Sequence, residues 1–223
     1  MFIGHYGVAF ALKRAEPRLS LGTLFLAVQL VDLLWGFALL LEWERARIEP
    51  GWTAASPLRF LSYPVTHSLL AGVLWGLAAG ALYYSWPTRN SWHHARAAAI
   101  VAAAVVSHWF LDLIVHVPDL PVAGDQSTKL GLGLWRSVPA TLLVELLVLG
   151  AGAALYVQLQ RRRGRLRLVP FAVLTGLLVV IQLANILGPP PPSMNAVAAS
   201  AIVGFPLFAL AAAWVDRPPP DEA

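Results

Sequence analysis

The chain has 223 residues, of which 58% are hydrophobic and 13% are charged, and its mean hydropathy is +0.65. A soluble domain usually carries about twice this charged fraction, so the composition excludes an ordinary soluble globular protein. The formal net charge is +4, and the lack of cysteine excludes disulfides, thiolate metal sites and thiol catalysis.

The first predicted element is the apolar segment MFIGHYGVAFALKRAEP at 1–17. Its charges follow the apolar stretch and no small-residue cleavage site is present, so it is not typical of a signal peptide. It is also too short to span a bilayer. We therefore predict a re-entrant or interfacial helix that turns near Pro17.

Long apolar stretches then recur along the chain, and runs of this length are typical of membrane-spanning helices. The loops between them are too short to hold a separate soluble domain. We predict one all-α polytopic membrane domain over 1–223, with a metal-site bundle at 1–160 and two further helices and a short tail at 161–223. The six predicted spans are 19–41, 64–86, 95–116, 137–160, 166–187 and 195–215.

Five arginines in RRRGRLR at 161–167 separate the fourth and fifth spans. Basic loops stay on the cytoplasmic side of a membrane protein. We therefore predict that this loop and both termini are cytoplasmic, and orientation explains the basic run without a nucleic-acid partner.

Ionisable residues inside a span are energetically expensive, so each of them is a candidate functional residue. Asp32, in LAVQLVDLLWG, has no basic residue within a helical turn and must be neutral, metal-bound or paired with a histidine. His67, in YPVTHSLLAG, lies in the first turn of the second span, where a histidine could also be simply hydrated.

The third span ends with His108, Asp112 and His116 at intervals of four residues, so neighbours in this series share a helix face. Imidazole and carboxylate suit Zn²⁺ or another borderline divalent ion. The alternative is a hydrogen bond within the helix, with Asp112 orienting a neutral His108. Because Pro118 disfavours helical geometry at the residue before it, His116 lies at the helix end, as a substrate-facing or an interfacial histidine.

Two more polar residues flank or enter the fourth span. Glu145, in ATLLVELLVLG, could be a ligand, a general base or a protonated glutamate bonded to a neighbouring helix. Arg136, in GLGLWRS, could bind a phosphate or carboxylate, although an interfacial anchor formed with Trp135 is also typical of this position.

These side chains fall at similar depths. At about 1.5 Å per helical residue, Asp32, His67, His108, Asp112 and Glu145 lie about 18–26 Å from the cytoplasmic side. If the N-terminal segment folds back, His5 rises to about the same level. We therefore expect one cluster in the outer half of the membrane.

At these residues the chain resembles the inner-membrane-associated metal-dependent hydrolases, a family also labelled permeases. That family has an early Gly-His, an Asp-containing segment ending the next helix, a Thr-His-Ser and then a Ser-His-x-x-x-Asp. This chain has the same order over about residues 1–140, with Gly4-His5, Asp32, Thr66-His67-Ser68 and Ser107-His108 followed by Asp112.

Two departures from the family pattern favour a single metal ion over two. The segment VDLLWG has one acid and no histidine, where the family reads approximately Pro-Asp-x-Asp-His. The stretch LSYP also lacks the histidine that usually precedes Thr-His-Ser.

The resemblance implies a bacterial inner-membrane hydrolase with a divalent cofactor, for which Zn is expected first and Mn or Fe are alternatives. The expected metal ligands are His5, Asp32, His67, His108 and Asp112, of which a catalytic ion would use three or four. His116 or Glu145 would be the general base. A site in the outer half of the bilayer implies a lipid or lipid-linked ester or phosphoester.

Other functions fit the same residues. The cluster could serve a metal-ion or proton-coupled transporter, or a non-catalytic metal- or haem-binding protein with His67 and His108 as axial ligands. The sequence contains no phosphate-binding G-x-x-x-x-G-K-[ST], no H-E-x-x-H and no G-x-S-x-G, which gives no support to nucleotide hydrolysis or to the common protease classes.

Overall fold

A computed structural model describes residues 1–86 and 91–217, with side chains omitted at 91–93. Helices dominate this part of the chain, which confirms the predicted all-α class. Two short antiparallel hairpins accompany them. The helices are α1 (Ile3–Ala15), α2 (Leu21–Val28), α3 (Leu30–Leu40), α4 (Leu69–Ser85), α5 (Ser91–Val115), α6 (Val138–Arg162), α7 (Leu168–Leu187) and α8 (Met194–Val215); the strands are β1 (Arg45–Ile48), β2 (Leu58–Ser62), β3 (Leu120–Pro121) and β4 (Lys129–Leu130).

Four helices are long and apolar enough to cross a membrane: α5 from His94, α6, α7 and α8. The pair α2 and α3 makes a fifth if it is taken as one bent span, and α4 is shorter, with 17 residues. These helices indicate integration into a membrane. The kind of membrane and the side that each terminus faces stay predictions, and the predicted tail at 218–223 lies outside the described residues.

Serine side chains fix where several helices begin. Ser68 accepts a hydrogen bond from the Ala71 amide at 3.0 Å, and Ser137 and Ser193 cap α6 and α8 in the same way. An N-cap oxygen satisfies an amide that the helix itself leaves unpaired. The predicted start of the second span at Pro64 is therefore wrong by five residues, and His67 lies in the turn before α4.

The N-terminal helix α1 lies inside the bundle. The chain reverses at residues 16–20, and the side chains of Ile3, Tyr6 and Phe10 are fully buried. Gly7 and Gly152 allow α1 to approach α6 closely, since a Cβ on Gly152 would lie 1.9 Å from the Gly7 carbonyl oxygen. This burial fits the re-entrant alternative rather than the interfacial one.

The first predicted span, 19–41, is broken. Its two halves α2 and α3 meet at Gln29 with a bend of 50°. No glycine or proline marks the break, which is why the sequence predicts a continuous helix there. As a consequence, Asp32 lies in the first turn of α3 and Val28 is the last residue of α2.

The hairpin of β1 and β2, which the sequence did not predict, packs beside the end of the bundle that carries Asp32 and His67. Ile48 pairs with Leu58 near its tip. The Phe60 ring lies 5.3 Å from Trp35, 4.9 Å from Tyr63 and 4.9 Å from His116, measured between ring centroids. The hairpin therefore supplies one wall of the region where the polar residues meet.

Candidate metal centre

Asp112, on α5, lies at the middle of four histidines. Its Oδ1 is 3.3 Å from Nε2 of His5, and its Oδ2 is 3.1 Å from Nε2 of His108. The same Oδ2 is 3.8 Å from Nε2 of both His67 and His116. All five side chains are buried, with exposed fractions of 3% or less.

Asp32 approaches the same group from α3. Its Oδ1 lies 3.2 Å from Nε2 of His67 and 3.6 Å from Nε2 of His108. Its side chain is 22% exposed. The structure thus brings all five predicted ligand residues into one cluster, from α1, α3, α5 and the turn before α4.

The spacing of four atoms suits a tetrahedral ion. Each Nε2 atom of His67 and His108 lies 3.1–3.8 Å from both Oδ1 of Asp32 and Oδ2 of Asp112. Ligands at zinc-like bond lengths stand about 3.3–3.4 Å apart at the corners of a tetrahedron. The four nitrogen–oxygen distances are close to this spacing.

His108 belongs to two overlapping ligand sets. One contains His67 and Asp112, the other His5 and Asp32, and the ligand atoms of each set lie within 4.8 Å of one another. Because Nε2 of His108 has a single lone pair, the two sets compete for one nitrogen. This arrangement favours one ion over two.

Outer hydrogen bonds orient the two histidines of this group. Nδ1–H of His108 donates to the Val28 carbonyl at 2.8 Å, at the break between α2 and α3. Nδ1–H of His67 donates to the Thr66 hydroxyl at 2.7 Å, because that hydroxyl itself donates to Glu44 at 2.6 Å. With the proton on Nδ1, each Nε2 turns its lone pair toward the carboxylates. Metal-binding histidines are commonly held in this way.

His116 is held by a carboxylate. Its Nδ1–H donates to Oδ1 of Asp119 at 2.9 Å, and the Tyr63 hydroxyl donates to the same oxygen at 2.9 Å. Burial, reinforced by the neighbouring Asp119, raises the pKa of the Tyr63 hydroxyl, so Tyr63 remains a proton donor. The Nε2 of His116 faces Asp112, which suits a base that acts on a molecule bound at the cluster.

Several buried nitrogens of the cluster have no hydrogen bond among the described residues. They are both ring nitrogens of His5 and Nε2 of His108. A buried polar atom without a partner costs about 1–3 kcal/mol. A cation bound at Nε2 of His108 would remove the cost at that nitrogen, so the donor set fits a divalent ion.

The carboxylate of Glu145 accepts hydrogen bonds from the start of α1. Its Oε2 accepts hydrogen bonds from the amides of Phe2 at 2.9 Å and Gly4 at 3.3 Å, and its Oε1 accepts one from Gln182 at 3.0 Å. These bonds anchor the helix that carries His5. The Met1 amine also lies near, 2.5 Å from Oδ1 of Asp112. Glu145 as a general base stays a prediction, and the geometry of His116 fits that role better.

A cavity of about 440 Å³ opens from the cluster toward α7 and α8. Asp32, His67, Asp112 and His116 form its polar end. Its apolar walls include Ile181, Ile186, Val197, Phe205 and Phe208.

Sequence reasoning missed Glu44, Tyr63 and Asp119, which hold the histidines. They lie outside the spans, where acids and tyrosines are ordinary, so hydropathy does not single them out. The spacing of Asp119 three residues after His116 was the available signal. The contribution of α7 and α8 to the cavity had no such signal.

Comparison of the chain with protein-family models, with curated proteins and with solved structures finds no match.

Proposed function

We propose that this chain is a membrane-embedded metal-dependent hydrolase that acts on a lipid or lipid-linked ester or phosphoester. Asp32, His67, His108 and Asp112 would hold one divalent ion, with Zn expected first and Mn or Fe as alternatives. The observation that carries the proposal is that Nε2 of His67 and Nε2 of His108 each lie 3.1–3.8 Å from both carboxylates, with the Nδ1 protons held outward.

Asp32 differs from the other three ligands in its access to the cavity. Its side chain is 22% exposed, against 3% or less for His67, His108 and Asp112. A catalytic site needs an open or exchangeable coordination position. Asp32 is therefore the ligand that can yield to a substrate oxygen. When bound, the ion would polarise that oxygen and make a bound water more acidic.

His116 would act as the general base. Asp119 fixes its Nδ1 proton at 2.9 Å and leaves Nε2 free to take a proton from the attacking water. The same nitrogen would then return the proton to the leaving oxygen. Asp119 stabilises the imidazolium between these two steps, as the carboxylate of a catalytic triad does.

The cavity supports a lipid substrate. Its volume of about 440 Å³ lies within the range of small-molecule sites. One end is polar and carries His116, whereas most of the residues that α7 and α8 contribute are apolar. A molecule with an apolar chain and a polar ester group matches this distribution.

The ordered motifs that resemble the inner-membrane-associated metal-dependent hydrolases support the same proposal. Gly4-His5, Thr66-His67-Ser68 and Ser107-His108 each contribute a histidine that contacts Asp112. Membership in that family is part of the proposal. So are an inner-membrane location and cytoplasmic termini.

A transporter is the second candidate, and the break at Gln29 favours it. Broken helices often line ion sites in transporters, and this break lies beside Asp32 and His108. A haem is less compatible with the geometry, because the carboxylates of Asp32 and Asp112 occupy the space next to both Nε2 atoms. Metal uptake into proteoliposomes without hydrolysis would favour the transporter.

The test uses detergent-purified protein loaded with Zn²⁺ and a panel of phospholipids and acyl esters. We expect hydrolysis that a chelator abolishes and Zn²⁺ restores. Replacing the base, His116→Gln, should keep the metal and lower kcat on the order of 10²–10⁴-fold. His94→Gln is the matched control, since His94 stacks on Tyr83 away from the cluster. No hydrolysis in the loaded wild type, or full kcat in His116→Gln, would contradict the proposal.

A further inference from the structure

A second cavity, of about 620 Å³, lies beside the first. Phe60 lines both cavities. Trp135 and His116 line the first, while Arg136 and Asp119 line the second. The second cavity therefore begins one side chain away from the proposed general base.

Arg59 contributes a fixed positive charge to this second cavity. Its guanidinium lies 4.2 Å from the centre of the Trp52 ring and its Nη1 is 3.1 Å from Oε2 of Glu49. Arg47 binds the same carboxylate at 2.6 Å. Hydrogen bonds from Arg59 and Arg47 lower the pKa of Glu49, so it stays ionised. Two arginines share one glutamate, which leaves a net positive charge at this wall.

Arg136 contributes a second guanidinium, and it is exposed. Within residues 1–86 and 91–217, no residue hydrogen-bonds to its side chain or pairs with its charge. It lies over Gly133, whose φ is +74°, and a Cβ there would meet its Cδ at 3.6 Å. The backbone at Gly133 thus leaves room for this side chain and does not engage its donors.

The acidic residue that lines the second cavity, Asp119, already has hydrogen-bond partners. Asp119 accepts hydrogen bonds from Tyr63 and His116 through one oxygen. These two bonds satisfy that oxygen, whereas no residue of the described chain engages the guanidinium of Arg136. Guanidinium groups bind phosphate with paired, charge-assisted hydrogen bonds.

We propose that the second cavity binds a phosphate group of the substrate through Arg59 and Arg136. This inference rests on the proposed function and narrows its substrate to an amphiphile with a phosphate-bearing head. The apolar chain would lie in the first cavity and the scissile bond beside His116. The head group would extend past Phe60, so that the phosphate lies in the second cavity and not beside the buried histidines.

The test measures equilibrium binding to the detergent-purified chain in the presence of a chelator. The probes are dioctanoyl phosphatidic acid, dioctanoyl glycerol with the same chains, and inorganic phosphate. We expect phosphatidic acid to bind more tightly than the glycerol lipid. Arg136→Gln and Arg59→Gln should each weaken phosphatidic acid binding on the order of 10-fold or more. Arg45→Gln is the matched control and should change it less than about 2-fold, because Arg45 is on the same hairpin but does not line the cavity.

The possible results separate the sources of the phosphate. Inorganic phosphate that binds with the same dependence on Arg136 would support the site but assign it to a soluble phosphate. Equal binding of the two lipids, no binding of phosphatidic acid, or unchanged affinity in both arginine variants would overturn the inference. Because the chelator prevents turnover, failure of the metal-dependent hydrolysis would leave this binding result unaffected.

Discussion

Each end of α1 lies in a buried polar cluster. In one cluster a cation and an anion satisfy each other, whereas in the other several ring nitrogens lack a hydrogen bond among the described residues. Near the C-terminal end of α1, Lys13 donates to Asp216 at 2.5 Å and to the Leu19 carbonyl at 2.6 Å. Asp216 also accepts hydrogen bonds from Gln160 at 2.8 Å and from the Leu21 amide at 3.1 Å. One cation meets one anion there, and the surrounding chain satisfies both.

At the other end, His5 belongs to a cluster with an excess of acceptors. Asp32 and Asp112 share four histidines, and the Met1 amine also pairs with Asp112 at 2.5 Å, but among the described residues no lysine or arginine side chain pairs with either acid. Three ring nitrogens of His5 and His108 lack hydrogen bonds within that same part of the chain. A buried ion pair such as Lys13–Asp216 therefore stabilises the fold without a ligand. The cluster at Asp32 and His108 contains ring nitrogens without a hydrogen bond, which fits the binding of a cation from solution.

The largest expected effect on stability comes from breaking the closed cluster. Asp216→Asn leaves the Lys13 charge buried and unpaired, which should lower the free energy of unfolding by about 3–5 kcal/mol. Chemical unfolding in detergent measures this change. Metal content per folded molecule should not change.

Arg47→Gln is the control for Asp216→Asn, because it breaks an ion pair that is exposed. It should leave the free energy of unfolding nearly unchanged. If Asp216→Asn also emptied the metal site of folded protein, the two ends of α1 would not be independent and the comparison would fail.

A smaller effect is expected on the metal affinity of the cluster at the other end of α1. Thr66→Val removes the hydroxyl that links Nδ1 of His67 to Glu44. The histidine remains but is no longer held, so metal affinity should fall about 10–100-fold. Competition with a chelator of known affinity measures the change. Unaltered affinity would mean that the hydrogen bonds around His67 do not prepare a metal ligand.

The sequence predicted the long helices well because hydropathy is a property of a whole run. The predicted spans 137–160 and 195–215 differ from α6 and α8 by at most two residues at either end. The break at Gln29 was not predictable in the same way. No residue type marks it, and the carbonyl of Val28 at its edge bonds to His108 from a different helix.

The cluster was predictable because an acid or histidine inside a span has few tolerable environments. Depth alone placed Asp32 and His108 at one level, and the structure brings them to 3.6 Å. Glu44 and Asp119 escaped prediction because each lies in a loop, where its charge needs no explanation. Their roles depend on the tertiary fold, which brings Glu44 to Thr66 and Asp119 to Tyr63.

Elemental analysis of the detergent-purified chain tests most directly whether the cluster at His5 is a cation site. We expect roughly one Zn, Mn or Fe ion per chain in the wild type and in His94→Ala, whose histidine stacks on Tyr83 and Tyr84. Folded His108→Ala and Asp32→Asn should lose that ion. A wild type that stays metal-free after incubation with these ions, or variants that keep the wild-type stoichiometry, would contradict the account.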